Sequence, residues 1–385
     1  MHSPLHIGRK NLSMLARPCM VVLLAFTAVG LLATLAINLS FLSPVSQIVK
    51  SFSFSDIYYN VLTESAQPDT SRVITIVDIT DLPDRREIAD VLVKVADMKP
   101  KVMGVDIIFE GRKPDSLSDN RLTTIAQGDS NIVFSYRLSD YANDSVGYRN
   151  DVHSFFREVI PINEGFTNFK RQFYGGIKRK TSLELRCRGE ERTSFAGNIA
   201  TLFSDGKLTR RREKELNINF TPTVFRIIHP DSINHNRELI EGHVVLIGAV
   251  NELADTHYTP LGQIAGVELQ AYAIQTLLEH SEVRHLNIWI TALLSFVLVL
   301  ITYFYRKGYI NWAKSRKPQM LGFLLSSTFA VGIVLFIWTA ILVGFTFLLF
   351  CSTGISVDLG WALAAIPFLG GAYEFFGITI RNFST

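Results

Sequence analysis

Residues 242–271 read GHVVLIGAVNELADTHYTPLGQIAGVELQA. They set Asp255, His257 and Thr259 in one polar loop between an apolar strand and a helix whose first turn carries Glu268. Upstream, Asp78 ends the run RVITIVD, and Asp106 follows KVMGV. Carboxylates with an imidazole can hold a divalent cation, or recognise a cationic or hydroxylated ligand through hydrogen bonds. The same residue types also bond backbone amides and simply fix a turn, and Thr259 with Pro260 can shape the chain before the helix. Bracing, ligand contact and metal binding therefore all stay open for this set, and for Glu110. An enzyme needs a nucleophile or a poised acid and base. The sequence has no nucleophile elbow, phosphate loop, paired cysteines or zinc-helix spacing. We expect no catalytic residue, cofactor or metal, and a metal-assisted hydrolase using Asp78, Asp106 and His257 is the remote alternative.

The elements that must position these residues read as an α/β domain with a central, mostly parallel or mixed sheet flanked by helices. The β-branched run 73–77 predicts a buried strand ending at Asp78. A helix follows, capped by Asp81, with Pro83 in its first turn and Ile88, Val91, Leu92 and Val95 as its buried stripe, stopping before Pro100. KVMGVDIIFE supplies a second strand, and the spacing fits a right-handed β-α-β crossover. Further elements are a helix over 117–126, a strand at NIVFSYRL, strands at FTNF, KRKTSLEL and LNINF, and a helix over 194–203. HVVLIG is the last central strand, and 266–280 is a helix with Val267, Ala271, Ile274 and Leu278 on one face. Parallel strands would bring Asp78, Asp106 and the Asp255 loop to one sheet edge, where open α/β folds bind ligands.

The rest of the chain is a membrane sequence. Hydrophobic residues make up 48% and charged residues only 19% of 385 positions, and uncharged runs long enough to span a bilayer occur at 18–42, 286–305 and 320–342. A fourth run, 357–380, is interrupted only by Asp358 and Glu374. An all-α region of four transmembrane helices is expected. The first run is too long for a signal-peptide core and lacks a small-x-small cleavage site, so it reads as an uncleaved anchor. Arg9, Lys10 and Arg17 precede the first helix, and RKGYINWAKSRKP (within a loop at 306–319) follows the second, both without acids. Basic loops stay cytoplasmic. Residues 1–17 and 381–385 are thus expected inside, and residues 43–285 outside, of a bacterial inner membrane. Residues 343–356 either extend the third helix or re-enter the lipid.

Within 43–285 there are 29 basic and 33 acidic residues, a net charge of about −4, which argues against nucleic-acid binding. The basic runs 178–180 and 210–212 read as solvated faces. Cys187 is the lone cysteine of the exported segment, so it has no disulfide partner there. Asp358 and Glu374, carboxylates in apolar helices, and Pro367, a predicted kink, are candidates for coupling through the membrane. Gly370, Gly371 and Ala372 offer a small-residue packing surface.

TIVDITD, KVMGVDIIFE, GFTNF with GGIKRK, SFAGNIATLF, INF, and above all VVLIGAVNELADTHYTPLG with GVELQAYAIQTLL stand in the order shown by the second type of CHASE domain. The chain resembles that family over residues 52–380. It is the extracellular sensory module associated with bacterial cyclases and histidine kinases, commonly followed by three membrane helices. FYGGIKR lacks the acid that often precedes the family's Gly-Val-x-Arg turn. Only residues 381–385 follow the last helix, so the output activity is expected on a separate partner. The resemblance implies a receptor-like sensor in contact with membrane lipid, forming a homo-oligomer or a hetero-complex with an output or assembly protein. A structural subunit of an envelope assembly is the alternative.

Overall fold

A computed structural model describes residues 8–38, 53–65, 67–82, 84–114, 116–128, 130–169, 176–208, 214–252 and 255–383. The chain divides into two compact units, 56–283 and the remainder.

The first unit is built on parallel strands. β1 (Asp69–Asp78), β2 (Val102–Val105), β3 (Ile132–Asn143), β5 (Asn163–Phe166), β10 (Thr223–Ile228) and β11 (Val244–Gly248) align in the order β10-β1-β11-β2-β3-β5, every pair parallel. β2 and β11 are buried throughout, as a strand covered on both faces should be. One face takes α3 (Arg85–Asp97) and α4 (Ser116–Gly128), where Val91, Leu92 and Val95 meet Leu122, Phe134, Phe156 and Ile247. Burying each large side chain of this set stabilises the unit by about 1.5–3 kcal/mol. The other face takes α5 (Phe195–Phe203). Gly104 on β2 lets α5 approach, because a Cβ there would meet Ile199 and Phe195. Glycine is similarly needed at Gly165 on β5, where a Cβ would fall 2.3 Å from the Phe195 Cα. α6 (Gly266–Glu279) is buried nearly all round.

The far half of β3 leaves the parallel core and turns back antiparallel into β4 (Gly147–Val152), which continues into β7 (Glu184–Cys187) and β8 (Glu190–Thr193). Smaller pairs are β6 (Lys180–Ser182) with β9 (Glu215–Asn217), and β12 (Thr256–Thr259) with β13 (Gly262–Ala265). α2 (Phe54–Ser65) places Asp56 against Arg179, which donates from Nε at 2.7 Å and also from its Nη2.

Several expectations need correcting. Asp84, not Asp81, caps α3 by accepting from the Arg86 and Glu87 amides at 3.0 and 3.1 Å. Asp81 is exposed, and Pro83 lies outside the described residues. FTNF contributes only its first residue to β5, because Thr167 and Asn168 spend their groups on β3: Thr167 donates to the Tyr136 carbonyl, and Asn168 bonds both polar groups of Leu138. The run 178–180 is not simply a solvated face, since Arg179 is paired with Asp56 and largely buried. Residues 210–212 lie outside the described residues.

The second unit contains four helical stretches long and apolar enough to cross a membrane: Leu15–Leu35, Ile288–Lys314, Thr328–Thr353 and Gly360–Thr379. α1 (Gly8–Asn38) packs Val21, Val22, Ala25 and Val29 against Val299 and Tyr303 of α7 (Ile288–Lys314). α7 runs through most of the basic segment assigned to a loop, because nothing in RKGYINWAK stops a helix before Ser315 and Pro318. Its tyrosines and tryptophan suit an interface, where the lysine and arginine stems can reach water. The third hydrophobic run is split: α8 (Gln319–Leu325) ends at Ser326, and Ser327 caps α9 (Thr328–Thr353) by accepting from the Ala330 amide at 3.3 Å. Residues 343–353 continue α9 rather than re-entering. β14 (Arg284–His285) and β15 (Ile355–Ser356) form a two-residue parallel pair. The fourth run is α10 (Gly360–Ala365), a 3-10 turn at Ile366–Phe368 and α11 (Leu369–Phe383). Pro367 accounts for the interruption, since it has no amide to continue the ladder.

Candidate functional site

The carboxyl ends of β1, β2 and β11 lie side by side: Asp78 pairs with Gly248, and Ile247 with Val105. Asp78, Asp106 and the segment after Gly248 therefore share one edge of the sheet. Their side chains do different things. Asp78 Oδ1 accepts from the Thr80 amide at 2.9 Å, the Thr80 hydroxyl at 2.5 Å and the Val250 amide at 3.2 Å. It latches the post-β11 turn to β1. Thr259 Oγ1 donates to the Gly262 carbonyl at 2.9 Å and accepts from the Leu261 amide at 3.2 Å, closing the β12-β13 turn. Glu268 accepts from the Ala265 amide at 3.2 Å and so caps α6. In this structure Asp78, Thr259 and Glu268 hold backbone.

Asp255 contacts His257 and is close enough to Asp106 to act on it through its charge. Asp106 retains some solvent access, yet protein surrounds its carboxyl closely enough that desolvation, reinforced by the Asp255 charge, pushes its pKa up to about 7. A hydrogen bond with Ser135 of β3 opposes that rise. Asp255 lies against Gly266, the first residue of α6, where a Cβ would fall 2.2 Å from Oδ2. Only glycine admits the carboxylate there, close to amides that a helix start leaves without partners. His257 Nε2 stands 3.4 Å from Asp255 Oδ1, and its ring meets Phe169 edge-on at 5.2 Å. The stretch expected to be a loop is the β12-β13 hairpin, which fixes His257 on a strand. Among the described residues no group of three or more His, Cys, Asp or Glu side chains is arranged to hold a metal ion.

The remaining candidates lie in the second unit. Asp358 is exposed and accepts from the Gly360 amide at 2.9 Å at the start of α10. Glu374 is exposed on α11. Arg306 reaches Gly370, where a Cβ would sit 3.2 Å from its guanidinium.

A second polar site escaped the sequence reading. A cavity of about 300 Å³ is lined by Tyr136, Asp151, His153, Arg157, Glu164 and Arg192, among others. Asp151 and His153 are two residues apart where β4 ends, a spacing that puts side chains on one side of extended chain. That was the available signal, but Glu164 joins them only through the pairing of β3 with both β4 and β5, and Arg157 comes from the 3-10 turn Phe155–Glu158. Burial alone would raise Asp151, but the hydrogen bond from His153 and the charges of His153 and Arg188 outweigh it and hold its pKa below the usual value.

The chain thus combines a parallel α/β core, with acidic side chains at its carboxyl edge, and four helices long and apolar enough to cross a membrane. The CHASE2 domain family matches residues 22–304, and the chain belongs to it. CHASE2 is a sensory domain, not a catalytic one. No curated protein and no solved structure gave a significant match to the chain.

Proposed function

We propose that this protein is a membrane receptor whose CHASE2 unit detects a ligand or envelope state outside the cytoplasm and passes it through its helices to an output protein. The observation supporting this is the Asp106–Asp255–His257 group at the carboxyl edge of the parallel sheet, the edge at which such folds bind ligands. The group lies where β2 ends and the hairpin before α6 begins, so a ligand taken up there shifts the relation of core to hairpin if it favours one arrangement over another. The basic segment after the second span faces the cytoplasm, and the CHASE2 unit the opposite side.

The test is isolation of the full chain in native lipid with its neighbours. Wild type should co-purify an output protein whose activity changes with conditions outside the membrane. Asp255→Ala should keep the partner and lose the response. No recoverable partner together with intrinsic turnover refutes the receptor reading, and an Asp255→Ala variant with an intact response refutes the site.

A further inference from the structure

The second polar cavity points to a chemical stimulus. His153 sits between two carboxylates: its Nε2 is 3.2 Å from Asp151 Oδ2, and its Nδ1 is 3.0 Å from Glu164 Oε1. The Tyr136 ring stacks on the imidazole with centroids 4.6 Å apart and planes 24° from parallel, which fixes the ring's orientation. A neutral imidazole has one donor and one acceptor, whereas an ionised carboxylate only accepts. In the neutral state, one of these two contacts sets lone pair against lone pair. Only the imidazolium donates to both.

The proton has no better place among the neighbours. Asp151 Oδ1 accepts from Arg188 at 2.9 Å, and Glu164 Oε2 accepts from Arg157 Nε at 2.9 Å, so a guanidinium favours the ionised form of each acid. Arg192 and Glu191 face the cavity from β8, and Cys187 lies buried on β7. Side-chain exposures of 25% for His153 and 8% for Glu164 leave the imidazole reachable by water and the acid largely shielded.

We propose that this cavity is a proton-binding site, in which protonation of His153 clasps the end of β4 to β5 and deprotonation releases it. The hydrogen bond to Glu164, opposed by burial and aided by the charges of both acids, raises the histidine's pKa above its ordinary value. The clasp's stabilisation is therefore fully present below the ordinary histidine pKa and is lost as pH rises through the raised value. The proton's meaning as a signal rests on the receptor reading, but the titration does not.

The experiment is hydrogen exchange by mass spectrometry on the full chain in lipid nanodiscs at pH 6 and pH 8.5, corrected for intrinsic exchange. In wild type, peptides covering 147–166 should lose protection at the higher pH. His153→Gln should abolish that difference, and His229→Gln, at an exposed histidine, should retain it. Equal wild-type protection at both pH values overturns the proposal, as does a pH difference that survives in His153→Gln. Should His153→Gln unfold, Glu164→Gln decides: the midpoint of the wild-type loss must move to lower pH, and an unmoved midpoint overturns the site. A pH response in these peptides without any downstream output counts against the receptor reading alone.

Discussion

Replacing Asp106 by Asn tests the electrostatics of the sheet edge directly. The carboxyl is pushed from 3.8 to about 7 in the folded protein. Its proton is therefore held more tightly folded than unfolded, and the sign follows: the site costs nothing below pH 4, accumulates its penalty as pH rises from about 4 to 7, and carries it in full above 7. At 1.36 kcal/mol per pKa unit the limit is about 4 kcal/mol, and water entry with local relaxation reduces the expectation to about 2 kcal/mol. Asparagine keeps an acceptor for Ser135 and cannot ionise. Asp106→Asn should thus raise the melting temperature by roughly 4–8 °C at pH 8, using about 2–4 °C per kcal/mol for a unit of this size, and change it little at pH 4. Circular dichroism of the full chain in detergent reads this. Asp255→Asn, by removing the nearby charge, should lower the pH at which the penalty is complete and make it smaller, leaving its onset near pH 4 unchanged. If Asp106→Asn destabilises equally at pH 4 and pH 8, the carboxyl is ionised when folded, and the desolvation argument fails.

Asp119→Ala should cost about 3 kcal/mol, because it removes the counter-charge of Arg85, which lies 2.7 Å away with 13% side-chain exposure against 2% for the acid and is left with the Glu110 and Gly111 carbonyls; denaturant unfolding measures it. Asp84→Ala should cost about 1 kcal/mol through loss of the α3 cap, readable in the same assay, whereas Asp81→Ala should be silent. For topology, cysteines placed at Ser145, in the exposed β3-β4 turn, and at Lys307, exposed on α7, should label from opposite sides of sealed vesicles with a membrane-impermeant maleimide. Labelling of both from one side would reverse the proposed orientation.

The parallel core was legible because β-branched runs such as VITIV and VVLIG are a strong strand signal and form strands paired on both sides. α5 and α6 were legible for a similar reason, with uninterrupted apolar stripes and a serine cap at Ser194. Shorter pieces were not. TVFRII was missed because an edge strand needs only one partner and shows no buried run, and β12-β13 was missed because polar residues on a two-strand ribbon look like a loop. Of the candidate site residues, Asp255 and His257 meet and Asp255 acts on Asp106 through its charge, while Asp78, Thr259 and Glu268 each satisfy backbone groups. Residue type alone cannot separate those roles, since an Asp at a strand end serves a ligand or an amide equally well. The His153 cavity was hidden by distance along the chain: its two acids reach the imidazole from different strands.

β10 ends the sheet, and only β1 pairs with it among the described residues. Its outward side chains include Val224 and Ile227, 46% and 49% exposed, with Arg226 between them. A free ladder edge with greasy flanks invites a second chain to add itself, and a single cation at its centre is the usual deterrent. Arg226 stands where such a deterrent would act: exchanging it for valine should leave the chain folded yet make concentrated samples clump.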